Sequence, residues 1–132
     1  MEQTFPATAD ALSRITDFVT ARAEAEHIRP ERIQRLQVAL EEAVVNVCDH
    51  AYDRRTGDIR VRLRTTGRGF EVDLEDEGPA FDPLAAEGPD TSLGLDERKV
   101  GGLGVLLMRR LLDDVRYRRE GNRNVLTLAV GR

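Results

Sequence analysis

One cysteine, no tryptophan and only 5% aromatic residues in 132 positions exclude several kinds of protein before any motif is found. The lone thiol, Cys48, can form neither an internal disulfide nor a cysteine-based metal cluster, and its apolar neighbours mark it for packing. So few rings leave no platform on which bases could stack, and a net charge of −4 with a pI near 5.3 lacks the basic face that phosphate backbones require. Nucleic acid is therefore not an expected partner. The opening residues, Met1-Glu2-Gln3-Thr4-Phe5-Pro6, show no basic start followed by a long apolar stretch, and no later run approaches the roughly 20 apolar residues of a membrane span. A cytoplasmic chain without membrane contact is expected.

With 40% apolar and 33% charged residues, the chain has the makeup of one ordinary globular domain, residues 1–132, large enough to bury a real core. No repeat or low-complexity tract divides it. After a short N-terminal strand or arm, Thr8 or Asp10 can cap a helix through about Glu26 that turns Leu12, Ile15, Phe18 and Val19 inward. Pro30 suits the first turn of a second helix, roughly Glu31 to Tyr52, ended by the turn residues Asp53, Thr56 and Gly57. Strands Asp58 to Thr65 and Phe70 to Glu75 flank Thr66-Gly67-Arg68-Gly69 and predict a hairpin. Arg60, Arg62 and Arg64 alternate with Ile59, Val61 and Leu63, which reads first as a solvated sheet face and second as a docking surface for an acidic protein.

Residues from Asp76 to Gly102 are broken by Gly78, Pro79, Pro83, Gly88, Pro89, Gly94 and Gly101, a length of loop that usually carries function. A third helix from about Leu103 to Asp113 should bury Leu103, Leu106, Leu107 and Leu111. A closing hairpin, Val115 to Arg119 and Asn124 to Val130, turns at Gly121-Asn122. The order of elements predicts an α+β fold, a two-layer sandwich of helices on a mostly antiparallel sheet, in preference to a doubly wound parallel one.

Three polar features stand out from this frame. Within the apolar run Ala43-Val44-Val45-Asn46-Val47-Cys48, Asn46 lies one turn after Glu42, about 40° from it around the helix, whereas Glu41 points away. The pair borders the core stripe of Leu36, Leu40, Ala43 and Val47, and either serves as satisfied core polarity or lines a cavity. Asp76-Glu77-Gly78 follows a strand, where a carboxylate could accept from the exocyclic amine of a flat ring that glycine lets approach; an acidic turn would use the same residues. Gly101-Gly102-Leu103-Gly104 opens a helix, offering amides at its positive end to a phosphate, or else merely a tight turn.

Taken in order, Glu42 with Asn46, then Asp76-Glu77-Gly78, then Gly102-Leu103-Gly104, resemble the N, G1 and G2 boxes of the GHKL (Bergerat-fold) ATPases. Glu42-Ala43-Val44-Val45-Asn46 with His50-Ala51-Tyr52, and Asp76-Glu77-Gly78 with Phe81-Asp82-Pro83, look most like the anti-sigma-factor serine kinases of bacterial partner-switching systems. The resemblance implies ATP and Mg²⁺ as cofactors, Asn46 as the magnesium ligand, and Glu42 as the catalytic base that deprotonates a partner's serine. It further implies that Asp76 and Gly78 receive adenine, that Gly101, Gly102, Leu103 and Gly104 wrap the phosphates, and that residues 84–100 form a lid. Related kinases can carry an arginine directly before the G2 glycines. Here Val100 holds that place, with Arg98 and Lys99 upstream as substitutes at the γ-phosphate. The partners implied are a sigma factor or similar target and a STAS-domain antagonist, with a homodimer expected from relatives. A non-catalytic nucleotide-gated binding module and a detached histidine-kinase catalytic domain are the competing readings.

Overall fold

The computed structural model describes residues 1–51, 57–84 and 106–132, with His50 and Ala51 by backbone alone. The strands form one sheet. β1 (Glu2–Pro6), β2 (Asp58–Thr65), β3 (Gly69–Asp76), β4 (Asp114–Glu120) and β5 (Arg123–Gly131) assemble in the order β1-β2-β3-β5-β4, every neighbouring pair antiparallel. Helices α1 (Ala11–Ala25) and α2 (Pro30–Asn46), and α3, described over residues 106–111, complete the chain. The resulting α+β fold of helices on an antiparallel sheet is the one expected from the sequence.

Alternation sorts the two sheet faces. Ile59, Val61 and Leu63 of β2, Phe70, Val72 and Leu74 of β3, and Leu126, Leu128 and Val130 of β5 turn inward to the helices and are buried in one core. Ala11, Ile15, Val19 and Ala23 of α1 meet Ile33, Leu36, Ala39, Leu40, Ala43 and Val44 of α2 in the same cluster, at the i, i+3, i+4 spacing of an amphipathic helix. Phe5 and Phe18, ring centroids 5.6 Å apart and tilted by 60°, pin α1 to the edge strand. Burial and the adjacent Asp49 push the half-buried Cys48 thiol above its ordinary pKa, in keeping with packing and against reactivity.

Several boundaries differ from expectation. Pro30 does open α2, but the helix stays α-helical only to Asn46 and widens into a single π-helical turn, Val47–Ala51. There the N–H of Val47 is shared between the carbonyls of Ala43 and Val44. Asp10 occupies the N-cap of α1 yet gives no side-chain cap bond; its carboxylate instead accepts from the Thr8 hydroxyl. The C-terminus of α1 closes in a Schellman arrangement: His27, at φ 61°, donates to the Glu24 carbonyl and Ile28 to that of Ala23, while Ile28 itself is buried. In α3, Met108 and Leu112 are the buried side chains, whereas Leu107 is 37% exposed. Arg109 and Arg110 mark one polar side of this short helix, but apolar residues on the remaining sides do not choose the face that is buried.

The outer sheet face is a lattice of charges. Arg60, Arg62 and Arg64 stand cross-strand from Glu75, Asp73 and Glu71. Asp73, fully buried, accepts from Arg64 Nη1 at 2.6 Å, Arg64 Nη2 at 3.1 Å and Thr127 Oγ1 at 2.6 Å. Burial alone would raise the Asp73 carboxyl, but the hydrogen bonds from Arg64 and Thr127 and the charges of Arg64 and Arg118 outweigh it and hold the group below its usual value. The arginines therefore pair largely within the chain, in line with the first reading of this face and leaving less charge for the second, an acidic partner.

Two expectations test this architecture. An added Cβ at Gly69 would lie 2.1 Å from the Val130 carbonyl oxygen and 2.8 Å from Gly131 Cα, both backbone; at Gly67 nothing lies within 4 Å. Gly69→Ala should cost about 3 kcal/mol in a thermal unfolding experiment and Gly67→Ala less than about 0.5 kcal/mol. A carboxyl held below its unfolded value contributes stability that is complete above about pH 4 and fades as pH falls through the native pKa. Asp73→Asn should therefore destabilise the protein by about 3 kcal/mol at pH 7. It should also flatten the loss of stability below pH 4 in urea titrations.

Candidate nucleotide site

Asn46 and Asp76 are 30 positions apart in the chain and line one cleft. Asn46 closes the regular part of α2, where Ala43 and Val47 flank it; Asp76 is the last residue of β3, on the inward face that Phe70, Val72 and Leu74 set. The remaining walls are Phe81 and Pro83 from the loop after β3, Tyr117 of β4, and Asn124 and Leu126 of β5. Between these described walls the free volume is about 30 Å³, room for a water or two.

Asn124 organises the polar floor. It pairs with Asp76 across the β3–β5 ladder and donates from Nδ2 to Asp76 Oδ1 and to the Pro79 carbonyl, both at 2.9 Å. Its Oδ1 accepts from Tyr117 Oη at 2.5 Å, Arg119 Nη1 at 3.1 Å and the Phe81 N–H at 3.2 Å. Arg119 also donates to the Gly78 carbonyl at 2.8 Å. The Gly78 N–H closes on Asp76 Oδ1 at 2.9 Å, so among the described residues the two donors to the carboxylate fall on the same oxygen. An exocyclic amine entering the cleft would use Oδ2. This donor set fits an adenine-type edge: a buried carboxylate at a strand end, oriented by Asn124 and the Gly78 N–H.

Of the residues singled out in the sequence, the structure brings Asn46, Asp76, Phe81 and Pro83 to one cleft, while Gly78 is tied to it through Asp76. Glu42 is half-buried one turn earlier on α2 and is not among the residues that line the cleft, while Glu41 is exposed as expected. Arg98, Lys99, Gly101, Gly102, Leu103 and Gly104 lie outside the described residues, as do Tyr52 and all but the first residue of the expected lid. Tyr117, Arg119 and Asn124 were not anticipated. A polar side chain at an inward position of β5, ahead of Leu126, Leu128 and Val130, was the available signal for Asn124.

The comparisons bear on this arrangement. Residues 5–130 match the family described as histidine kinase-like ATPase domain. The chain belongs to that family. It is 34% identical over 94 residues to the serine/threonine-protein kinase BtrW of Bordetella bronchiseptica, covering 70% of this chain and 66% of the relative. It is likewise 34% identical over 105 residues to the serine-protein kinase RsbW of Bacillus subtilis, covering 76% and 64%. The RsbW of Halalkalibacterium halodurans is 30% identical over 124 residues, 91% of this chain and 76% of that protein. The chain thus spans slightly less than two thirds of the length of the first two relatives. Among solved structures, a chain of the SiaB–SiaC complex from Pseudomonas aeruginosa superposes with a TM-score of 0.59 at 13% identity, covering 97% of this chain and 87% of the other. The Acinetobacter baumannii histidine kinase AdeS does so at 0.53 and 13%, covering 99% and 67%. At that identity both speak for the fold of the ATPase domain alone.

The Asn124 network is open to test through stability. Asn124→Ala removes one of the two donors to Asp76 and should cost about 2 kcal/mol in chemical unfolding. Asn124→Asp sets a second carboxylate beside Asp76, so one of the pair is pushed up in the native state. That variant should be weakest near pH 7 and regain stability as pH falls toward about 5, a trend opposite to that expected of a chain whose carboxylates are ion-paired.

Proposed function

We propose that this ATPase domain binds Mg-ATP between α2 and the end of β3 and transfers the γ-phosphoryl group to a serine of a protein partner. One observation carries the reading: Asn46 and Asp76, the two residues whose types suit a magnesium ion and an adenine amine, line the same cleft in a chain whose relatives are named serine-protein kinases. The amide oxygen of Asn46 is a hard ligand of the kind Mg²⁺ takes while keeping waters and bridging phosphates. Asp76, steered by Asn124 and Gly78, would hold the base. Glu42, on the same edge of α2 as Asn46, would take the serine proton as transfer proceeds, a step otherwise driven by positioning and charge neutralisation. Gly101, Gly102, Leu103 and Gly104 would hold the phosphates, and Arg98 and Lys99 would supply charge at the γ position.

In the cell this activity would serve partner switching. The domain would sequester a sigma factor or similar target in the cytoplasm, as a homodimer, and release it through phosphorylation of a STAS-type antagonist. No described helix is long and apolar enough to cross a membrane. One sequence feature favours a second reading, a nucleotide-gated binding module without transfer: Val100 stands where related kinases can place an arginine.

Incubation with Mg-ATP and candidate STAS proteins, read by mass spectrometry for phosphoserine, separates the two. Transfer is expected from the wild type. Glu42→Gln should lose about 10²-fold or more in rate while its nucleotide affinity stays within about threefold. Asp76→Asn should weaken ATP binding itself. ATP binding without phosphoserine on any candidate would sink the kinase reading and leave the module; full transfer by Glu42→Gln would remove Glu42 as the base.

A further inference from the structure

A second cavity lies on the other side of the sheet. It is a groove of about 620 Å³ on the outer face, running from the edge strand β1 at Glu2, Gln3 and Thr4 across Asp58 and Arg60 to the ends of β3 and β5. Among its outward-facing lining residues the acids Glu2, Asp58, Glu75 and Glu77 outnumber the bases Arg60 and Arg123. The sign is the reverse of what the arginine alternation of β2 suggests by itself.

Glu75 gives the groove a chemical demand. The residue is 3% exposed, and its Oε2 is a buried oxygen with no hydrogen-bond partner. Its nearest cations, Arg60 Nε at 3.8 Å and Arg62 Nε at 3.7 Å, neutralise charge at a distance too long for a hydrogen bond. Glu2 holds both of them away, accepting from Arg60 Nη2 at 2.8 Å and Arg62 Nε at 2.9 Å. A buried carboxylate oxygen without a donor costs free energy that an incoming donor would return.

We propose that this groove receives a basic side chain, arginine or lysine, carried on an extended segment of a protein partner, which donates to Glu75 Oε2. A protein segment is favoured over a free cation because the groove is flanked by the sheet edge: β1 pairs only with β2, and among the described residues nothing pairs with its other side. An extended chain added there would project alternate side chains over the outer face, in line with Glu2 and Thr4. The groove also lies behind the nucleotide cleft, since Glu75 and Asp76 are consecutive and face opposite sides of β3.

Amide chemical shifts of the labelled full chain, recorded without nucleotide, test this independently of phosphoryl transfer. The probe is acetyl-Gly-Arg-Gly-Arg-Gly-amide, its control the same peptide with citrulline for arginine. The arginine peptide should move the amides of residues 57–60, 75–77 and 123 saturably and the citrulline peptide should not. Glu75→Gln should weaken binding by about tenfold or more, and Glu71→Gln, on the same face away from the groove, should leave it unchanged. Should Glu75→Gln fail to fold, Glu2→Gln replaces it. Losing Glu2 frees Arg60 and Arg62 to bond Glu75, so weaker binding supports the proposal. Equal binding by the citrulline peptide, wild-type affinity in the readable variant, or the same shifts from Mg²⁺ alone or from raising the protein concentration alone would overturn it.

Discussion

Strand β3 carries a carboxylate at every second position, Glu71, Asp73 and Glu75, on the face that the helices leave uncovered, and the strand is central in the sheet. Central placement buries those groups, and burying a carboxylate is tolerable only beside a guanidinium or a full set of donors. β2 answers from one side with Arg60, Arg62 and Arg64, β4 from beyond β5 with Arg116 and Arg118. β1 then adds Glu2, which the hydrogen bonds of Arg60, and after it Arg62, hold near a pKa of about 2. The charge order across the strands is thus acid, base, acid, neutral, base. With Glu71 and Asp73 paired to arginines on its outer face, β3 can devote the inner face to Phe70, Val72 and Leu74 and end it at Asp76.

The sheet and the first two helices were legible because each rests on a period that the chain repeats: two for Ile59 to Leu63 and Phe70 to Leu74, near 3.6 for Ile15, Val19 and Ala23 and for Leu36, Leu40 and Ala43. Where the period is absent the reading failed. Residues 106–112 are apolar on most sides, and only the tertiary fit shows that Met108 and Leu112, and not Leu107, face the core. The π turn after Asn46 is equally silent in sequence, since it replaces one hydrogen-bond spacing by another without needing a distinctive residue.

The candidate site divides along the same line. Asn46 and Asp76 announce themselves as polar groups out of keeping with their apolar surroundings, and the resemblance to the ordered boxes gives each an expectation. Asn124 has an ordinary appearance at a strand start, and its importance arises from register: only the antiparallel pairing of β3 with β5 sets it opposite Asp76. Register depends on pairings between distant segments, which a single sequence constrains only through alternation and turn length. The same dependence hid Glu75, whose Oε2 lacks a donor while Glu2 engages its cross-strand partner Arg60 and the neighbouring Arg62.

The tie from Asn124 to Asp76 continues through Tyr117 and Arg119 into the β4–β5 hairpin, whose tip at Gly121 takes φ +58° in open space. Asn122 beside it is exposed and is a place where change costs the fold little, while the root of the same hairpin fixes the orientation of the Asp76 carboxylate. A dye attached at Asn122 would stand outside the cleft yet on the element that braces it. The hairpin offers a built-in pointer, through which movement of the pocket floor becomes visible at the surface without a label touching the pocket.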